Sequence, residues 1–392
     1  TERDDTAGLT IEHPDFGVWV LEKPDKGLVD LGMGAMASGV RTEARGYVSN
    51  AFGEDSKAIG HHSYAEGRNN TAQGDHSHAE GSDNIAEGAG SHAEGYRTLA
   101  SGDMAHAEGS TTVASGLHSH AEGYKSKATN SRSHAEGQST DSTGVASHSE
   151  GKETIASGYA AHAEGQSTVA GNFKKDTVGN FLDVDGNITT DRTKYVELDG
   201  GDYSHAEGYC TMASADYSHA EGYCTKTLNA YAHAEGSESV ASGEISHAEG
   251  RKTNASGKWS HSEGYGTNAS GVASHAEGYE TEASGKSSHA EGQSTTASGK
   301  YSHAEGSETL AYGNNSHAEG EGTTATGRNA HAEGLNTTAN AYAHAEGQST
   351  RASGTDSHAE GNGTTASGNY AHSEGQSTTA SAVNTHAEGN GS

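Results

Sequence analysis

The chain has 392 residues and a formal net charge of −30, with 54 acidic side chains against 24 basic ones and 26 histidines besides. Only 30% of it is hydrophobic, with 4 Phe, 4 Met, 2 Trp and 2 Pro beside 56 Gly, so no residue set is present that fills a conventional globular core. The acidic balance argues against binding to nucleic acid through its phosphates, no run of about 18 apolar residues offers a membrane span, and no signal-peptide pattern opens the sequence.

Residues 1–32 concentrate the large apolar side chains, Phe16, Val18, Trp19, Val20, Leu21, Leu28 and Leu31, and hold both prolines, Pro14 and Pro24. They read as a β-rich cap or connector that covers the open end of a repeat array. Residues 33–170 form the first repeat region. Ala-x-Gly recurs every seven residues from Ala37-Ser38-Gly39, and from Ser77 the sevens alternate between Ser-His-Ala-Glu-Gly and Thr-x-Ala-Ser-Gly. His-x-Glu-Gly occurs 21 times, nearly always 14 residues after the last. A strict period of this kind argues against the disorder that low hydrophobicity and high charge would otherwise imply.

A heptad coiled coil does not fit, because the repeating positions are Ala and Gly rather than large interlocking residues. Period-2 alternation ending in Gly predicts short strands and turns, two five-residue segments joined by two-residue corners in each coil. Ser77, Ala79 and Gly81 then face the interior, and His78 and Glu80 face out. In the second segment Thr295, Ala297 and Gly299 face in. The expected fold is all-β: a thin parallel β-roll, or solenoid, of 14-residue coils. At about 4.8 Å per coil, roughly 23 coils would extend on the order of 110 Å. A roll this thin needs partners along its length.

The register breaks twice. Between His162 and His205 lies an insertion, 171–200, with Phe173, Phe181, Asp183, Asp185 and Tyr195 among its distinctive residues. Asp185-Gly186 between apolar strands predicts a β-hairpin leaving the roll, and this is the candidate recognition feature. The repeat resumes over 201–392, and between His331 and His344 one corner loses a residue. Cys210 and Cys224 sit one period apart, so they are either two small corner residues or a disulfide across adjacent coils.

Ala-x-Gly every seven residues, in 14-residue coils with Ser two positions before Ala, resembles the head domain of YadA-type trimeric adhesins. The Ser-His-Ala-Glu-Gly version resembles repeats in tail-fibre and appendage proteins of phages and prophages of Gram-positive bacteria. The resemblance implies a left-handed parallel β-roll assembled side by side as a homotrimer. It also implies an extracellular or virion-surface location and a role in attachment to a cell-surface glycan or protein receptor, either in a phage tail fibre or in a bacterial surface adhesin.

The ladder residues expected at the interface between chains are His78 and Glu80, His92 and Glu94, His106 and Glu108, His120 and Glu122, His219 and Glu221, His247 and Glu249, His275 and Glu277, and His303 and Glu305. They recur unchanged while the opposite outward slot runs through Leu99, Lys127, Asp141, Asn254 and Arg351. Alternating His and Glu would offset carboxylate repulsion through charge-assisted hydrogen bonds, with raised histidine pKa values. An identical pair 21 times over is not one active site, so no enzyme is expected. His-x-Glu is not by itself a metal signature, and no metal or cofactor is assigned. Asp183-x-Asp185-Gly-Asn187 lacks the spacing of a calcium loop.

Overall fold

The computed structural model describes residues 20–21, 32–173, 182, 187–189, 198 and 200–391. The chain divides into two compact units, Thr1–Cys210 and Thr211–Ser392. Each is a parallel β-solenoid, and no helix occurs among the described residues. Most of the 1–32 segment lies outside the described residues. Within it, the strand Val20–Leu21 pairs in parallel with Met36–Val40, Val20 opposite Ala37.

In the first unit eleven long strands run from Met36–Val40 to His205–Tyr209, and short strands run from Glu43–Ala44 to Val169–Ala170. In the second unit long strands run from His219–Tyr223 to the terminal His386–Ala387, and short ones from Met212–Ala213 to Thr379–Ala380. Each strand pairs in register with the one a coil away: His92 with His106, Ala93 with Ala107, Glu94 with Glu108. The two kinds of strand differ in length, in contrast to the equal five-residue segments expected from the repeat. The long strand is His-Ala-Glu-Gly-x, as in His78–Ser82, and the short one is only the x-Ala of Thr-x-Ala-Ser-Gly, as in Ile85–Ala86.

The interior is as thin as the composition requires. Ala79, Ala86 and their equivalents are fully buried, with Ser77 and the Thr slot beside them. The inward Ser closes a corner: Ser77 Oγ donates to the Gly74 carbonyl at 2.6 Å, and Ser288 Oγ to that of Gly285 at 2.8 Å. At Ser262 and Ser373, which replace the inward Ala, the hydroxyl meets that of Thr267 or Thr378 across the roll at 2.7 Å.

Two features of the corners depart from the expectation. First, the Gly that ends the His-Ala-Glu-Gly motif is not buried in the roll. Gly81 is exposed, with φ near +104°, and a Cβ placed on it would lie 2.2 Å from the Gly95 carbonyl oxygen. Second, each coil carries two corner residues in the left-handed region, most of them not glycine. Ile245 (φ 56°), Trp259 (φ 59°) and Thr111 (φ 61°) are examples. A non-glycine residue in this region costs of order 1–3 kcal/mol. The stack offsets that cost by giving each such N–H a carbonyl on the preceding coil, as in Ile245 N to Ala230 O at 3.0 Å and Asp83 N to Arg68 O at 2.9 Å.

Both register breaks leave the stack intact. His162–Gln166 pairs directly with His205–Tyr209 across the insertion, His162 opposite His205. The inserted chain departs and returns at one corner, where Leu198 N donates to Asn172 O at 2.8 Å. Leu182 and Ile188 form an antiparallel bridge, and the Asp185-Gly186 turn expected between them lies outside the described residues. At the short coil, Asn340 takes the corner position that Gly fills in most coils and that Asn130, Ala215 and Asn229 also hold. Ala343 N donates to its carbonyl at 3.1 Å, and His331 stays opposite His344.

Gly278 and Gly389 share a backbone conformation, φ 111° and 104°, but they differ in what lies ahead of them. A Cβ added to Gly278 would sit 2.2 Å from the Gly292 carbonyl oxygen, whereas one added to Gly389 would have nothing within 4 Å. Gly389→Ala is expected to cost about 1–3 kcal/mol from conformation alone. Gly278→Ala adds a backbone clash and is expected to lower the melting temperature distinctly further. Equal thermal melts for the two variants would show that stacking contributes nothing to the requirement for glycine.

Candidate functional site: the histidine–glutamate ladder

The constant pair of each coil lies on the long strand, on the face opposite the buried Ala. Because strands pair in register, each imidazole lies over the next. In the first unit His78–His92 and His106–His120 are 4.7 Å apart between ring centroids and within 2° of parallel. In the second unit the same holds for His261–His275 and His358–His372, at 4.7 Å and 2–3°. The stack tilts locally at His303–His317, to 32°. Its first ring in the first unit is capped by Tyr64, which meets His78 edge-on at 4.9 Å. The Tyr64 hydroxyl donates to Glu66 at 2.7 Å, and this bond, with burial, pushes its pKa up to about 12.

All sixteen ladder residues predicted from the sequence fall on these two columns, within their respective units. Within one coil the histidine Nε2 and the glutamate Oε2 lie near each other: 3.3 Å for His78 and Glu80, 3.4 Å for His261 and Glu263, 3.5 Å for His289 and Glu291, and 4.0 Å for His92 and Glu94. These contacts are not the charge-assisted hydrogen bonds anticipated. The Nε2 atoms of His78, His92, His261 and His289 are shielded from solvent and make no hydrogen bond.

The expected rise in histidine pKa is reversed. In His92, His106, His120, His148, His233, His261, His275, His317 and His344, partial burial holds the pKa below its usual value, and the neighbouring histidines of the stack push it the same way. The glutamates push the other way for these residues and are outweighed. Burial is the larger cause, and face-to-face stacking adds to it, since a charged imidazolium would sit one coil from the next.

Of the insertion residues singled out from the sequence, Phe173 is 4% exposed, packed rather than presented. Phe181, Asp183, Asp185 and Tyr195 lie outside the described residues. Ile155 and Val169, successive members of the variable outward slot, are likewise buried to 5% where the insertion departs. Cys210 is a free, exposed thiol, so it is a small corner residue and not half of a disulfide; Cys224 is half-buried.

The surface feature that residue parity missed is the set of corner aromatics. Tyr96, Tyr124 and Tyr279 follow the motif glycine, while Tyr231, Trp259, Tyr301 and Tyr370 occupy left-handed corner positions, and all are exposed. Several lie under a cation, with Arg97 4.8 Å from the Tyr96 ring and Lys258 4.7 Å from that of Trp259. The repeated Glu-Gly-Tyr triplets were the available signal.

Each unit is thus a parallel solenoid of 14-residue coils with one constant outward His/Glu ladder. Five segments of this chain, 93–119, 149–170, 290–316, 318–340 and 345–371, match the YadA head domain repeat. The chain thus carries YadA-like head repeats in both units. No curated protein sequence matches it.

The depressed histidine pKa values fix the sign of a pH effect. Above the unfolded value of about 6.5 both states are neutral and these groups contribute nothing. As pH falls through that value the unfolded chain takes up protons that the folded ladder resists, so stability is lost. The melting temperature is expected to fall steadily from pH 7 to pH 5. A rise over that window would restore the paired, charged ladder that the sequence suggested.

Proposed function

We propose that this chain is a non-enzymatic, homotrimeric fibre or appendage segment of adhesin type, exposed on an extracellular or virion surface and used for attachment. The observation that carries this reading is the contrast between outward columns. His and Glu are held constant coil after coil, while the other outward slot passes from Leu99 to Lys127 to Asp141 in the first unit and from Asn254 to Glu282 to Arg351 in the second. A constant column marks constant surroundings, and a threefold axis supplies the same surroundings to every coil. A roll whose interior is almost wholly Ala, Ser, Thr and Gly, with Asn70 and Asn84 its largest fully buried side chains, gains little from its own core, which also favours side-by-side association.

The variable slot and the exposed corner tyrosines form the lateral surface available to a cell-surface glycan or protein receptor. In this reading residues 1–32 cap or connect the roll, and 171–200 is a lateral hairpin between the 33–170 and 201–392 repeat regions. The net charge of −30 argues against nucleic acid as the partner. Two settings suit the same architecture: a phage tail fibre or receptor-binding protein, and a bacterial surface adhesin. Neighbouring genes separate them, tail-assembly genes marking the first and an anchor or translocator the second.

Native mass spectrometry is expected to give three times the 40.0 kDa chain mass. Glu277→Arg with Glu291→Arg is expected to reduce assembly, whereas Thr296→Arg with Thr324→Arg, in the column that already holds Arg351, is expected to leave it intact. A monomeric native mass would overturn the trimer. Dissociation by the threonine pair alone would move the interface to the other face.

A further inference from the structure

The ladder combines three properties that its role as a contact surface does not use. Many coils offer an imidazole nitrogen and a carboxylate oxygen within 4.0 Å of each other, as in His78 with Glu80 and His358 with Glu360. The nitrogen is shielded from water without a hydrogen bond, as in His78, His261 and His289. The donor atoms of successive coils also come within reach: those of His78, Glu80 and His92 all lie within 4.8 Å of one another, and the grouping recurs along the chain.

From this geometry we propose that the ladder is a linear array of divalent transition-metal sites of zinc type. Each site would be built from the histidine Nε2 and glutamate Oε2 of one coil, completed by the histidine of an adjacent coil and by solvent or a neighbouring chain. Zinc bonds of about 2.0–2.1 Å in tetrahedral array place neighbouring donors roughly 3.3–3.4 Å apart. The separations of 3.3 Å in His78 and Glu80, 3.4 Å in His261 and Glu263, and 3.5 Å in His289 and Glu291 match that edge without rearrangement. The second histidine stands farther off, because its ring is parallel and 4.7 Å away at His261–His275. It reaches the ion by tilting, and the 32° tilt between His303 and His317 shows that the stack accommodates such a movement.

Imidazole with carboxylate selects zinc, nickel or copper over magnesium and calcium, which prefer all-oxygen sites. Occupancy has an upper limit set by charge. Dications one coil apart repel four times as strongly as single charges at that distance, and one carboxylate per coil only half neutralises each ion. One ion for every two coils satisfies both the donor count and the charge.

The inference stands apart from the trimeric reading, since both donors of a coil belong to one chain whatever the native mass. The test uses the full chain, freed of metal by a chelator, loaded with Zn²⁺, dialysed against metal-free buffer and assayed by elemental analysis. More than one retained Zn²⁺ per chain is expected, and fewer than one overturns the proposal. The set Glu249→Gln, Glu263→Gln, Glu277→Gln and Glu291→Gln is expected to lower the retained number by at least one ion. Replacing the exposed corner histidines His61, His62, His76 and His118 with Asn is expected to leave it unchanged; the opposite pattern overturns the assignment. Cobalt substitution of the unaltered chain needs no variant to fold. Intense visible absorption of tetrahedral Co²⁺ is the expected result, and only weak octahedral absorption counts against the site.

Discussion

The stacking of one coil directly on the next, at the spacing of a parallel β hydrogen bond, is the constraint from which the rest of this structure derives. It brings backbone so close to backbone at the motif glycine that a single Cβ on Gly278 would lie 2.2 Å from the Gly292 carbonyl oxygen. It supplies the carbonyls that hold Ile245 and Trp259 in left-handed corners, where isolated residues of those types would be strained. In-register stacking also repeats every outward side chain as a column, so one choice of residue becomes a ladder.

That repetition has consequences for stability. The interior is a column of alanines with serine and threonine hydroxyls, and its order comes from backbone pairing and small-residue fit rather than from large apolar side chains. The insertion after Ala170 and the shortened coil before His344 show how the stack tolerates change. Extra or missing residues are absorbed at corners, because His162 still pairs with His205 and His331 with His344.

The ladder turns the same geometry into chemistry. A lone imidazole beside a carboxylate would tend to gain a proton, but here each ring has another imidazole about one coil spacing above or below it. Partial burial and the like-charged neighbour dominate in residues such as His106 and His275, and they favour the neutral ring. Neutral rings at such positions, with carboxylates alongside, avoid stacking positive charge along the strand face.

Much of the fold was legible in residue order alone. The 14-residue spacing of His-x-Glu-Gly and the alternation that puts Ala79 inside and His78 outside both rest on the local rule of strand parity. Strand lengths were not legible, because the second segment of each coil pairs over only two residues, as in Ile85–Ala86, and nothing in Thr-x-Ala-Ser-Gly marks where pairing stops. The left-handed corners were hidden because Tyr, Trp and Ile carry no local signal for that conformation; carbonyls from the preceding coil impose it. The histidine protonation preference was hidden for the same reason. Sequence places Glu two residues from His, but only the tertiary stack sets how far each ring is buried and places His on His at 4.7 Å, and burial, with the like-charged neighbour acting the same way, outweighs the glutamate.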